Sequence, residues 1–466
     1  MNRRLLNSWI GIEFLGKFLN MLALAFFVSY SDKVNAKLRE FGAVMFSKAR
    51  IRMRDGEVIE GIILPRPDVG DPDVVIIKHE NGYNVGVHVD GIGEIEVLQV
   101  YSPPTRAGPR PSSGNGPRAA LIATGGTIMS KVDYATGAVY PSFSLDELYE
   151  MYPELRSIAS VELINLFSIF SEDMNPSRWT EMGDAINKAM QGGAEGIVVL
   201  HGTDTMHYSA AAMSFAFRSA AAPIVFTGSQ RSSDRPSSDS FENIYASVLA
   251  SVKAPFAESV VSMHASSSDG LIAIHRGVRA RKMHSSRRDA FVSINAKPIA
   301  FVDVTKGELK MAATSFKQRG ETVYEGGFDD RVALIKYYPG MDGEVIDYLV
   351  DRGYHGIVIE GTGFGHVSES VRDALGRAVE AGLPVVVSTQ TIYGRVNLNV
   401  YRRGVELEKL GVIPSGDMSS ETAYAKLSWI LARTRDLEEV RRLVATPMAF
   451  ELSERTEPIN YCLGVS

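Results

Sequence analysis

Six short apolar runs dominate the pattern of this chain, and each ends on glycine or a polar side chain. They read "AALIATGG", "GIVVLHGTD", "APIVFTGSQR", "GLIAIHRG", "GIVIEGTGFG" and "LPVVVSTQT", and helix-length amphipathic stretches lie between most of them. Runs of this length without polar alternation are strands buried on both faces, and strands separated by helices form parallel sheets covered on both sides. The fold class is therefore α/β. A break at "KQRGETVYEGGFDDR" (317–331) divides the region into a larger portion, about 119–316, and a smaller one, about 332–466.

At 466 residues the chain is too long for one ordinary core and calls for about three domains. Residues from about 48 to 100 change texture to alternating segments such as "ARIRMRDGEVIEGIILP" and "DVVIIKHENGYNVGVHV", broken by Asp-Gly, Pro-rich and Asn-Gly turns. Period-two alternation with such turns predicts small antiparallel strands, here a compact β-barrel within 28–100. The run "YSPPTRAGPRPSSGNGPR" (101–118) carries no apolar periodicity and is a linker. Residues 1–27 hold a basic start and an apolar run at 18–28 that is too short to span a bilayer. They are expected to be an N-terminal extension or a mis-assigned start, and no membrane association is expected.

Composition narrows the function. A net charge of −6 argues against a chain that grips nucleic acid over much of its own surface, so any RNA contact is local or delegated. A single cysteine, Cys462, removes disulfide frameworks and cysteine metal clusters and fits a reducing, cytoplasmic setting. The nine histidines include no zinc-type spacing; His201 and His207 sit six apart across a loop and a helix start. No catalytic metal and no cofactor are expected in this chain. "GTGFGHV" (361–367) lacks both the dinucleotide and the P-loop spacing and reads as a close-packing loop.

Ligands in open α/β sheets bind beyond the carboxyl ends of the strands. Three polar strand ends, "TGGT" (124–127), "HGTDT" (201–205) and "TGSQR" (227–231), describe one pocket. Thr127 and Thr203 are two candidate hydroxyl nucleophiles, each in need of a group to take its proton. Asp204 adjoins the second, and Lys282, in "RARKMHSS", is a candidate base once its ammonium has lost a proton. Gly125, Gly126 and Gly202 permit close backbone approach and offer N–H groups to a developing oxyanion. The set outlines acyl transfer with threonine as nucleophile. Taken singly, each motif reads more readily as a turn or a helix cap; together, in this order, they read as one site. The basic run 275–288 is either a phosphate-facing patch or a solvated face with Lys282 alone turned inward.

With these residues assembled, the stretch from about 118 to 450 resembles the bacterial-type L-asparaginase/glutaminase family. The motifs that carry the resemblance are "ATGGTI" (123–128), "DYATGAV" (133–139), "SEDM" (171–174), "HGTDTM" (201–206), "TGSQR" and "RKMHSS" (281–286), in the family's order. The resemblance implies a two-domain α/β amidohydrolase in which Thr127 attacks a side-chain amide and Tyr134 rides a lid. It further implies a Thr203–Lys282–Asp204 relay, and Ser171 at the substrate's α-carboxylate. Glu172 stands where many free-standing asparaginases carry glutamine, and with Gly126 and Gly202 it completes the expected substrate-binding set.

The β-domain ahead of TGGT, with "TQTIYGRVNLNVYRRG" (389–404) and "GVIPSGDMSSETAYAKLSWIL" (411–431), makes the layout similar to that of the D subunits of archaeal glutamyl-tRNA(Gln) amidotransferases. That likeness implies release of ammonia from glutamine or asparagine for a partner E subunit, which binds Glu-tRNA(Gln) and uses ATP and Mg²⁺. It implies a heterotetramer of two D and two E subunits built on a homodimer of this chain, with tRNA contacts mainly through the partner. The alternatives weighed are a stand-alone cytoplasmic L-asparaginase and a binding module with a decayed site; intact Thr127, Thr203, Asp204 and Lys282 argue against the latter.

Overall fold

The structure, a computed structural model, describes residues 30–64, 66, 70–79, 84–100, 116–132, 139–141, 149, 153–232 and 237–456. Tyr134, the extension 1–27, most of the linker and Cys462 lie outside the described residues. The chain divides into two compact units, one carrying residues 30–100 and the other most of 116–456.

In the first unit, α1 (Asp32–Glu40) is capped by Ser31, whose side chain accepts from the Val34 N–H. Five strands follow: β1 (Lys48–Met53), β2 (Val58–Leu64), β3 (Val74–Lys78), β4 (Asn84–His88) and β5 (Ile92–Gln99). They pair antiparallel in the order β4-β3-β2-β1-β5. Alternation explains the sheet: Ala49 and Ile51 of β1 face the core, and Arg50 between them reaches Glu60 and Glu96. Gly56, at φ +93°, turns β1 into β2. The end strands β4 and β5 are joined by a single 3₁₀ turn, Val89–Gly91.

The larger sheet of the second unit uses β6 (Arg118–Gly125), β7 (Ser160–Ile169), β8 (Gly196–Leu200), β9 (Ile224–Thr227), β10 (Ser259–His264), β11 (Leu271–Arg276), β14 (Ala300–Asp303) and β15 (Glu308–Met311). Their order is β15-β14-β11-β10-β9-β8-β6-β7, parallel from β7 to β10. Helices α2 (Pro176–Gln191), α3 (Met206–Ala216) and α4 (Ser240–Lys253) cover it. The double burial is visible in β6: Ala120 and Ile122 pack with Trp179 and Ile186 on one face, while Ala119 and Leu121 pack with Ile244 and Leu249 on the other.

The run GLIAIHRG departs from the parallel expectation. As β11 it pairs antiparallel with β10 and β14, because only loop 265–270 separates β10 from β11. A parallel crossover needs a dozen or more residues. A separate hairpin, β12 (Ala280–Lys282) with β13 (Phe291–Ser293), carries the candidate lysine.

The C-terminal portion is a four-stranded parallel sheet of β16 (Val332–Lys336), β17 (Gly356–Gly361), β18 (Val385–Thr389) and β19 (Ile413–Pro414). Helices α5 (Glu344–Asp351), α6 (Glu369–Glu380), α7 (Arg402–Lys409), α8 (Ser420–Leu431) and α9 (Leu437–Ala445) accompany it. The GTGFG segment is a packing loop, since a Cβ on Gly361 would lie 2.6 Å from the Gly365 carbonyl carbon.

Both α/β portions share one apolar core: Ala423, Leu427 and Ile430 of α8 join the cluster that holds Met213 and Phe215 of α3. The connecting segment 317–331 is pinned by Arg319, whose guanidinium donates to the carbonyls of Ala254, Glu195, Ser251 and Val252.

The basic run 275–288 is exposed at residues 284–287, while Lys282 and Arg279 turn inward, and most of its arginines are ion-paired. Arg276 pairs with Glu258, Arg281 with Glu421, Arg287 with Asp289 and Arg288 with Asp269. Arg279 forms a buried 2.9 Å ion pair with Asp417. Removing one partner from a buried pair strands the other charge and costs about 3–5 kcal/mol, whereas exposed pairs contribute about 0–1 kcal/mol. Asp417→Ala is therefore expected to lower unfolding free energy in urea by about 3–5 kcal/mol. Asp347→Ala, which removes the exposed Arg377 pair, should change it by less than about 1 kcal/mol.

Candidate active site

The strand end at TGGT resolves its two threonines into different tasks. Thr124 is buried, and its hydroxyl donates to the Leu200 carbonyl at 3.0 Å, clamping the end of β6 to the end of β8. Thr127 opens a 3₁₀ turn and is partly exposed. Between them Gly125 and Gly126 adopt φ of +113° and +81°, a region that L side chains rarely enter.

These glycines are also where separate strand ends touch. A Cβ on Gly126 would lie 2.5 Å from both N and Cα of Gly202, and one on Gly125 would lie 2.2 Å from the Ile169 carbonyl oxygen. A Cβ on Gly202 would meet Ser171 Cβ at 2.8 Å, and one on Gly228 would meet Thr203 Cγ2 at 2.8 Å. The loops TGGT, SEDM, HGTDT and TGSQR thus pack closely on one another at their glycines. Thr127 and Thr203 each directly follow one of the two glycines in contact, Gly126 and Gly202.

Hydrogen bonds hold this stack. Thr205 Oγ1 donates to the Ser171 carbonyl at 2.5 Å, and Asn243 Nδ2 donates to the Gly228 carbonyl at 2.9 Å. The buried Asp239 carboxylate accepts the N–H groups of Gln230 and Arg231 at 3.0 Å. Ser171 is buried behind Gly202, its hydroxyl 3.4 Å from Glu172 Oε2, and Glu172 is exposed.

Lys282 brings the distant part of the chain to this point. Its Nζ donates to Thr203 Oγ1 at 2.8 Å and to Asp204 Oδ1 at 2.9 Å. The lysine side chain is 9 % exposed while Asp204 is 68 % exposed, so the contact runs from the protein interior toward solvent. A nitrogen joined at once to a hydroxyl and a carboxylate is a proton relay in form.

Residues that sequence reasoning leaves unassigned set the lysine's position. Arg279 and Arg281 flank Ala280 and precede Lys282, and they bind Asp417 and Glu421 of the C-terminal portion. Asn295, at φ +53°, exchanges hydrogen bonds with Gly394 and donates to the Asp417 carbonyl. The signal lies in "RARK", where alternation sends Arg279 and Arg281 to one side of the strand and Lys282 to the other. The carboxylates they meet, 138 and 140 residues away, carry no such local signal.

Two buried histidines frame the same region. His201 Nδ1 donates to the Gly202 carbonyl at 2.7 Å, and its Nε2 accepts from Ser209, whose oxygen also accepts the Trp179 indole N–H. Burial pushes His201 down to about 4, and burial likewise pushes His207 and His275 down to about 4. His201, neutral and held on both ring nitrogens, is scaffold.

Comparison with known proteins places these features. The family model "Asparaginase, N-terminal" matches residues 118–316, "Glutaminase/Asparaginase C-terminal domain" matches 331–444, and "GatD N-terminal domain" matches 45–98. A glutamyl-tRNA(Gln) amidotransferase D subunit from Thermofilum pendens is 52% identical over 444 residues, covering 93% of this chain and 98% of the relative. Its counterpart of the same description from Pyrobaculum aerophilum is 49% identical over 418 residues, covering 90% and 99%. Among solved structures, the thermostable L-asparaginase from Thermococcus kodakarensis superposes with a TM-score of 0.66 at 31% identity, covering 72% of this chain and all of that one.

The buried histidines fix how stability responds to acid. Their folded values lie near 4 and the unfolded value near 6.5, so below about 6.5 the unfolded chain takes up protons that the folded chain refuses. Stability is then fully present above about pH 6.5 and falls toward pH 4, by up to about 1.4 kcal/mol per pH unit for each of the three residues. Urea unfolding across this range should show that slope, and His275→Gln should make it shallower.

Proposed function

Because the chain belongs to the family of glutamyl-tRNA(Gln) amidotransferase D subunits, we propose that it is the subunit that hydrolyses glutamine, or asparagine, to supply ammonia for converting Glu-tRNA(Gln) to Gln-tRNA(Gln). One observation carries this reading over a stand-alone L-asparaginase. The match to D subunits runs almost end to end in both chains and includes the small N-terminal unit, whereas the solved asparaginase accounts for 72% of this chain.

The likeness to asparaginases assigns the nucleophile, and the lysine contact supplies a proton relay beside it. Thr127 is the nucleophile: its Oγ attacks the side-chain amide carbon, its proton passes to the leaving nitrogen, and the C–N bond breaks to release ammonia. Water then cleaves the Thr127 ester to free glutamate or aspartate. Lys282, bound to Thr203 Oγ1 and Asp204 Oδ1, moves protons between hydroxyl and solvent, and the exposed Asp204 keeps the lysine's charge balanced in its cationic form. Backbone N–H groups near Gly126 and Gly202 face the oxyanion. Ser171 and Glu172 receive the substrate's α-carboxylate and α-ammonium groups.

The ammonia passes to a partner E subunit, which binds Glu-tRNA(Gln) and consumes ATP with Mg²⁺; this chain itself uses no cofactor. The assembly is a heterotetramer of two D and two E subunits on a homodimer of this chain, in the cytoplasm. Among the described residues no helix is long and apolar enough to cross a membrane. The basic run, spent on internal ion pairs, supports tRNA contact mainly through the partner.

Ammonia release from glutamine and from asparagine, measured first with the purified chain and then with E subunit and Glu-tRNA(Gln) added, tests this reading. It predicts low hydrolysis alone and a sharp rise in the complex. High asparagine hydrolysis indifferent to both additions would establish the stand-alone asparaginase instead. Within the complex, Thr127→Ala and Lys282→Ala should each cut ammonia release by about 10²–10⁴-fold while circular dichroism stays unchanged; retention of most activity would remove that residue from the mechanism.

A further inference from the structure

We propose that Glu242, His264 and Asp269 form a divalent-cation site of the zinc class, distinct from the hydrolytic centre. Glu242 lies in the first turn of α4, His264 ends β10, and Asp269 sits in loop 265–270. One ligand atom from each lies within 4.8 Å of the other two. Zinc bonds of about 2.1 Å require ligand-to-ligand edges of about 3.4 Å, so modest side-chain rotation closes the set around an ion.

The stronger observation is the imidazole. His264 is fully buried, and its Nε2 has no aligned hydrogen-bond partner, although Glu242 Oε2 stands 3.1 Å away. Its tautomer is set from the other side. Asn243 spends its amide N–H groups on the Gly228 carbonyl at 2.9 Å and Asp239 Oδ2 at 3.1 Å, so its Oδ1 is what faces His264 Nδ1 at 2.9 Å. Nδ1 must therefore donate, and in the neutral ring Nε2 turns a lone pair on a carboxylate. In that form the two acceptors repel and a cation between them converts the repulsion into coordination, whereas a ring protonated on both nitrogens donates to Glu242 instead.

One nitrogen and two carboxylate oxygens match a borderline first-row ion better than magnesium or calcium, which prefer all-oxygen shells. Two carboxylates balance the ion's charge. The remaining neighbours are accounted for: the Gly270 N–H donates to Glu242 Oε2 at 2.8 Å, and Arg288 holds Asp269 in a short ion pair that an ion would have to displace. Asn243 also orders the Gly228 loop, whose backbone abuts Thr203, so an ion here stiffens a support of the hydrolytic centre.

Zinc sulfate titrated calorimetrically into untagged, chelator-stripped full-length chain, with thermal unfolding in parallel, tests this. The expected result is one zinc per chain and a raised melting temperature. Glu242→Gln and Asp269→Asn should each weaken binding at least about tenfold, with the zinc-free melting temperature little changed, and Arg288→Ala should tighten it. Failure to take up zinc would mean that the pair is a plain imidazolium–carboxylate contact and would overturn the proposal. Uptake that neither carboxylate variant weakens would place the ion elsewhere and overturn it equally.

Discussion

The contact between Gly126 and Gly202 is the constraint on which the rest of the site depends. Strands β6 and β8 are neighbours in a parallel sheet, so their ends arrive side by side. Their loops come closer still because neither residue has a Cβ, and the same device repeats at Gly125 against Ile169 and Gly228 against Thr203. Side chains at these positions would force the loops apart. A shift of about 1 Å separates a hydroxyl placed for reaction from one that is merely nearby.

Around this contact the chain builds a polar centre on an apolar base. Buried strands fix the loop ends, Thr124 and the locked His201 tie them, and the hairpin of β12 and β13 inserts Lys282 from a separate part of the fold. The hairpin is in turn held by Arg279 and Arg281 to the C-terminal portion. The smaller α/β portion thus acts on the chemistry indirectly, through the two guanidinium groups that aim the strand carrying the lysine.

Much of this is legible in the sequence, and the parts that are not share a cause. Continuous apolar runs ending in TGGT, HGTDT and TGSQR announce both the sheet and the edge where the site lies, because strand burial and loop polarity are local properties. The strand ends and the RARK run already offer Thr203, Asp204 and Lys282 as candidates, the likeness to asparaginases joins them in a relay, and the structure brings the three into direct contact. The antiparallel course of GLIAIHRG escapes a sequence reading because its apolar content is that of a parallel strand, and the deciding fact is the shortness of the loop before it. The fate of the arginine run is illegible for another reason: Asp417 and Glu421 are distant in sequence, and nothing near Arg279 or Arg281 marks them as partners. The glycines read, in sequence, as making room for substrate, and the structure adds that they make room for one another.

The account's central claim is that the hydroxyl of Thr127, placed by the glycine contact, bonds covalently to the substrate's acyl group. Rapid acid quench of the complex during turnover of glutamine, followed by peptide mass spectrometry, tests it most directly. The account predicts a glutamyl adduct on the tryptic peptide spanning residues 119–131 and localised to Thr127. An adduct on Thr203, with none on Thr127, would contradict it.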